Sequence, residues 1–322
     1  MEIGGITAYL VSLALVAGIY AIFCMGLNIQ WGYTGLFNIG IAGFFCIGAY
    51  TSAMITTPAP TGVYARYVHQ LFGLNQPFLF GLFGAAVICG VVAFLIGIPT
   101  LRLEEDYLAI ATLGIAETFR LVFNNEKWLG NGARGLTGLP QPFHDWVDPR
   151  YYNYIYLIIV IIIMILIYML IERAIRSPWG RVLRAIREDE VSASMSGKDA
   201  FSFKMQSLVF GAMVMGIGGA LFAHYTKAIS PDMFTPLYGT FIIWVMLIAG
   251  GSGNNKGAIL GAYVIWGIWI GTQFLTDLLP YTLKARAPYI RFLVIGILLE
   301  VILIWRPQGL LGEEKRVSKM LE

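Results

Sequence analysis

Charge is what this sequence has least of. Its 322 residues include 22 basic and 19 acidic side chains, 13% in all. A soluble domain carries roughly a quarter, so a water-facing globule is excluded. Histidine is scarcer: His69, His144 and His224 stand far apart, and none has a partner at metal-ligand spacing. The sequence has no GxxxxGK(S/T) phosphate loop, so it offers ATP no site of that kind. It has no GxSxG elbow either. The expectation is a chain with no catalytic residues, no metal site and no cofactor of its own. Cysteine is limited to Cys24, Cys46 and Cys89, each inside an apolar run and without CxxC spacing. They read as small core residues rather than a disulfide framework. Met1-Glu2-Ile3-Gly4-Gly5 lacks a basic leader. The run behind it is too long for a signal peptide, so it reads as an uncleaved span.

What the chain has instead is apolar length: 57% of its residues are hydrophobic. A bilayer crossing takes about twenty such residues. Runs of that kind fall near 6–29, 36–57, 78–98, 106–124, 153–174, 203–226, 237–252, 257–279 and 289–305. The expected fold is all-α, a polytopic helical bundle of about eight to ten spans with lipid around it. Two runs are weak. The fourth carries Glu117 and Arg120, and the seventh is short. A re-entrant or broken helix is open at both.

Lys and Arg set the orientation. The loop 174–204 holds Arg176, Arg181, Arg184, Arg187, Lys198 and Lys204, and the C-terminal stretch holds Arg306, Lys315, Arg316 and Lys319. Both are expected in the cytoplasm, which puts the N-terminus outside. The expected outer loops are less basic: 58–77 has only Arg66, and 125–152 balances Lys127, Arg134 and Arg150 with Glu126, Asp145 and Asp148. Lys284, Arg286 and Arg291 fall outside against the trend. Residues 1–312 read as one membrane domain and 313–322 as a tail. The net charge of +3 is small, and no nucleic-acid partner is expected. A faint echo joins Gly32-Tyr33-Thr34-Gly35, followed by Gly48-Ala49-Tyr50, to Gly251-Ser252-Gly253, followed by Gly261-Ala262-Tyr263. Transporters are often built from internal repeats.

Ionisable and polar residues inside spans are the first candidates for function. Glu117 lies three residues before Arg120, on the same helical face. The second run alternates small and aromatic residues, so Asn38 and Tyr50 could offer polar contacts along a solute path. Thr112 and Glu117 complete the path candidates. The stretch Ser177 to Lys198 is unlike the rest. Pro178 suits a helix start and Gly197 a helix end. Arg181, Arg184 and Arg187 recur at helical spacing beside Val182, Leu183 and Ile186. Such a helix could lie on the membrane surface. An anionic leaflet would repel Glu188-Asp189-Glu190, however. The stretch therefore reads as an amphipathic docking helix near 181–197, its apolar strip entering a partner's groove.

Gly180-Arg181-Val182-Leu183-Arg184-Ala185-Ile186-Arg187-Glu188-Asp189-Glu190 resembles the cytoplasmic loop of binding-protein-dependent ABC permeases. Asp106 to Gly114, Gly135-Leu136-Thr137-Gly138 and Arg306-Pro307-Gln308-Gly309-Leu310-Leu311-Gly312 are similar to motifs of the branched-chain amino acid permease family, LivM type. Together they cover about residues 20 to 312. The resemblance implies a coupling helix acting through Arg184, Arg187, Glu188, Asp189, Glu190 and Gly197. It also implies four kinds of partner or surrounding: a second permease subunit, two ABC ATPase subunits that hold the ATP, a periplasmic solute-binding protein, and the lipid of a bacterial inner membrane. The solute it implies is a branched-chain or other neutral amino acid, with urea and short amides as alternatives. An ion-coupled carrier built on Glu117 is the reading from a different class. Ser192, Ser194 and Ser196 depart from the alanines usual in this loop.

Overall fold

The computed structural model describes residues 3–62, 65, 68–149, 151–277 and 287–313. Arg66, Arg150, Lys284, Arg286, Lys315, Arg316, Lys319 and nearly all of the tail lie outside the described residues. The helices are α1 Ile3–Leu27, α2 Ile41–Thr56, α3 Phe78–Thr100, α4 Glu105–Asn125, α5 Lys127–Gly130, α6 Tyr152–Arg176, α7 Pro178–Glu188, α8 Glu190–Met195, α9 Ala200–Thr226, α10 Ile242–Gly250, α11 Asn255–Asp277 and α12 Ala287–Trp305. Each of the nine apolar runs is helical over most of its length. The one sheet among the described residues is a pair of two-residue strands, β1 Leu136–Thr137 antiparallel to β2 Ala228–Ile229.

α9 is the central helix, and α1, α2 and α3 pack around it. Small residues make this possible. A Cβ added to Gly48 would run into the Gly216 carbonyl oxygen, so α2 and α9 approach backbone to backbone. α6 and α3 turn long aliphatic faces outward, with Ile158, Ile162, Leu166, Leu79 and Phe83 exposed as lipid-facing residues are. Cys24, Cys46 and Cys89 are free and buried.

Among the described residues, four helices are long and apolar enough to cross a bilayer unaided: Gly5–Gly32, Phe78–Thr100, Tyr152–Arg176 and Ala200–Thr226. Leu237–Gly250 and Asn255–Gln273 form a pair bent by 119°, as a re-entrant or broken helix at the seventh run would be. α2, with 16 residues, reaches only about 24 Å, less than the ~30 Å hydrocarbon core. Both short helices follow irregular backbone. α1 runs into a π-helical turn, Asn28–Gly32, and the chain stays non-helical to Gly40. A second π turn, Leu237–Phe241, leads into α10. Irregular backbone at membrane depth survives only where it is buried in protein or lines a cavity. These two breaks meet each other.

One end of the bundle carries the arginine-rich α7–α8 segment, the turn after α1 and residues 307–313. The opposite end carries the loops between α2 and α3 and between α4 and α6. These loops interlock there: Gln70 bridges Gly130, and the His69 N–H donates to Asn131 Oδ1 at 3.3 Å.

Candidate functional site

The first cluster is where the two breaks meet. The Ile39 N–H donates to Thr112 Oγ1 at 3.1 Å, and the Ala42 N–H donates to Thr240 Oγ1 at 3.0 Å. Trp244 Nε1 donates to the Asn38 carbonyl at 3.1 Å. Asn38 is buried and both ends of its amide are engaged: its Oδ1 accepts from the Gly40 N–H at 2.7 Å, and its Nδ2 donates to Gln30 Oε1 at 2.8 Å. Side chains thus replace the backbone partners that the breaks remove. Beside them lies a cavity of about 10 Å³, lined by Asn38, Thr112, Phe44, Ile47, Ile115 and Phe119 among others. Such a volume holds at most about one water, so the space is closed to a solute.

Asn38 and Thr112, both candidates from sequence, are brought together here. Tyr50 is not. It lies toward the opposite end of α2, stacked on Phe123 at 4.2 Å, its buried hydroxyl without a hydrogen-bond partner among the described residues. Glu117 lies on the outward face of α4 and is gripped by Arg120, whose Nε donates to Glu117 Oε2 at 2.9 Å. Arg120 also reaches Asp232 Oδ1 at 3.5 Å. Glu117 is ion-paired and does not line this cavity. The sequence does not single out Gln30, Thr240 or Trp244. The one signal for them is the weakness of the seventh run, which points to a break.

The second cluster is the arginine-rich segment. The single helix expected over 181–197 is two helices. α7 ends at Glu188, and Asp189 turns to extended backbone at φ −158°. Asp189 then caps α8: its Oδ1 accepts from the Val191 N–H at 2.9 Å and the Ser192 N–H at 3.1 Å, and its Oδ2 accepts from the Ser192 hydroxyl at 2.6 Å. An Asp that caps a new helix N-terminus ends the old one. The same bonds, the Ser192 hydroxyl's foremost, hold the Asp189 carboxyl below the usual carboxylate range. Gly197, at φ +78°, takes the left-handed turn that stops α8.

The apolar strip also differs from expectation. Leu183 and Ile186 are buried within this chain, Ile186 against Ala193 and Ala200. The strip therefore anchors the segment to its own bundle and is not free to enter a partner's groove. What faces outward is α8, where Val191 is 63% and Met195 84% exposed, one helical turn apart. Glu190 pairs with Lys204 across to α9. Arg184 Nη2 donates to the Ile175 carbonyl at 3.4 Å. Arg187 is the hub: it donates to the Gly32 carbonyl and, at 2.8 Å, to Glu313 Oε2. Gly35 and Gly253 flank it, with a Cβ on either falling 3.2 to 3.3 Å from the Arg187 side chain. The two glycine turns that echo each other in sequence meet at this arginine. Glu188 and Arg181 line an open cleft of about 760 Å³ beside it, closed on the other side by Pro307 and Gln308.

Residues 9–303 match the family described as "Branched-chain amino acid transport system / permease component". The chain is 29% identical to the probable branched-chain amino acid transport permease protein LivM of Methanocaldococcus jannaschii, over 94% of this chain and 92% of that one. It is 30% identical to the high-affinity branched-chain amino acid transport system permease protein LivM of Salmonella typhimurium and 29% to that of Escherichia coli. Each match covers 94% of this chain and 69% of the relative. No solved structure matches. Irregular helix entries meeting beside a small, mostly apolar cavity suit a transport path rather than a reaction centre. With almost its whole length matched, the chain belongs to the branched-chain amino acid transport permease family, a multipass membrane subunit that carries solute rather than an enzyme.

Proposed function

We propose that this chain is one of two permease subunits in an ATP-driven importer of branched-chain amino acids. The end bearing α7 and α8 lies in the cytoplasm, as the concentration of arginine there favours. The N-terminus is outside and residues 307–313 are inside. ATP binds two partner ATPase subunits, which dock on α8 and the cleft beside Arg181 and Glu188. The interlocked loops 58–77 and 125–152 receive a solute-binding protein outside.

The observation that carries this reading is the α7–α8 segment. It is fastened to the bundle by buried apolar side chains, yet presents Val191 and Met195 to solvent beside a charged cleft. A segment that merely lay on lipid would turn its apolar strip outward, not into its own chain.

Solute passes beside Asn38 and Thr112, between α2 and α4. The cavity wall is mainly Phe44, Ile47, Ile96, Ile115, Phe119 and Leu208, which favours an aliphatic side chain over urea or a short amide. The outward face of α4 carries Gly114, Glu117 and Thr118. Charge at mid-helix disfavours lipid contact there, so this face turns to the second permease.

The test is reconstitution of the full chain with the second permease, ATPases and binding protein in proteoliposomes. Labelled leucine should enter only with ATP inside, with isoleucine and valine competing and urea and acetamide not. Uptake that persists without ATP hydrolysis would sink this reading.

A further inference from the structure

We infer that Gln30 is the positioning residue that carries movement of α7 to the solute cavity, through the π turn Asn28–Gly32. The inference rests on the reading of α7–α8 as the ATPase-docking element and of Asn38 and Thr112 as path residues. It adds the physical connection between them.

The connection is short and continuous. Arg187, at the last turn of α7, donates to the carbonyl of Gly32, the final residue of the π turn. Its side chain is seated on Gly35, whose φ of +78° and tight approach exclude a larger residue. Two residues before Gly32, in the same turn, is Gln30. It is fully buried, and both ends of its amide are engaged: Nε2 donates to the Leu208 carbonyl on α9 at 2.9 Å, and Oε1 accepts from Asn38 Nδ2 at 2.8 Å. Asn38 in turn holds the Gly40 N–H that starts α2. The path from Arg187 to the cavity wall thus runs through one five-residue turn and one side chain.

The turn moves as a piece. Asn28, at its start, accepts from the Gly253 N–H at 2.8 Å and donates to Asn255 Oδ1 at 2.9 Å. A Cβ on Gly32 would collide with Asn28 Oδ1. With Asn28, Gly32 and Arg187 tied together at one face, a shift of α7 cannot be absorbed inside the turn. It passes to the inner face, where Gln30 is the buried side chain that bonds α9 and the α2 entry at once. π turns of this kind are rare and concentrate at functional sites.

The experiment uses the full importer complex in proteoliposomes and reads leucine moved per ATP hydrolysed. Gln30→Met keeps length and packing and removes both hydrogen bonds. The ratio should fall roughly tenfold, as the loss of buried hydrogen bonds at a switching contact implies. Arg187→Ala should lower it comparably. The double variant should be no worse than the poorer single, because both cut one route. Three outcomes overturn the inference: a wild-type ratio in Gln30→Met; a double variant whose losses multiply; or less complex with an unchanged ratio, which marks a purely structural role. Should Gln30→Met not assemble, Asn38→Asp serves instead. It keeps the oxygen that holds Gly40 and loses the NH₂ that reaches Gln30. Losses that multiply when it is combined with Arg187→Ala overturn the inference equally. A wild-type complex in which leucine does not stimulate hydrolysis takes down the proposed function itself, which separates the two failures.

Discussion

Asp189 makes three hydrogen bonds in its ionised form, all to the first turn of α8. Its carboxyl is therefore held below the ordinary carboxylate range. A group whose folded pKa is depressed contributes stability above its unfolded value, and that contribution is lost as pH falls through the folded one. ATPase binding to the permease should therefore be level from neutral pH down to the usual Asp range, about 4, and weaken below it. Asp189→Ala should weaken binding several-fold at neutral pH and flatten that acid limb, as titration calorimetry on permease in nanodiscs would read. Gly32 is constrained differently. Gly32→Ala forces a methyl onto Asn28 Oδ1 and the Gly253 N–H, and overpacking of this kind costs about 1–3 kcal/mol. A lower Tm in detergent checks it. Glu117→Gln should leave uptake within about threefold of wild type, because Glu117 is not in the cavity wall. Collapse of leucine uptake in that variant would instead mark Glu117 as an ion site.

The α7–α8 segment shows how far an element can be read from spacing. The arginine period, Pro178 and Gly197 all fall where a helix over this stretch needs them. The break at Asp189 is less legible. The acidic charge of Glu188-Asp189-Glu190 does not by itself break a helix. What ends α7 is competition from a cap, and Ser192, three residues after Asp189, supplies its partner. The direction of the apolar strip is not legible at all, since a single sequence does not say whether Leu183 faces its own bundle or a stranger's. Because Leu183 and Ile186 are committed inward, the ATPase docking proposed above draws on what α8 shows. Interfaces bury an apolar core, in which Met is enriched, inside a polar rim. Val191→Asp or Met195→Asp should therefore weaken ATPase binding roughly tenfold or more. Neither should change the Tm of the isolated permease, because neither side chain is packed in it. A pull-down titration against the ATPase would read the first effect and thermal unfolding the second.

At the scale of the whole molecule, hydrophobic length locates the spans because burial in lipid leaves so strong a mark. It cannot distinguish a full crossing from two broken helices placed end against side. The 16 residues of α2 and the bent pair around α10 differ from true spans by a few residues of run length. The backbone partners that make the breaks tolerable come from far away in sequence, such as Thr112 to Ile39 and Thr240 to Ala42. Only the fold brings them together. The arrangement has a mechanical consequence. The cavity beside Asn38 is closed by α4 lying tightly on α2, with a Cβ on Gly43 3.1 Å from the Ala116 Cβ. On the path proposed beside Asn38 and Thr112, solute cannot pass while that contact holds, so α2 and α4 part in each cycle. Disulfides span Cβ atoms about 3.5–4.5 Å apart, so a cysteine pair at Gly43 and Ala116 needs only a slight easing to form one. With that bond formed, ATP-driven leucine uptake should stop, and dithiothreitol should restore it. Wild-type permease treated with the same oxidant controls for Cys24, Cys46 and Cys89. Uptake that continues at full rate with the bond in place would show that the path does not run between these two helices.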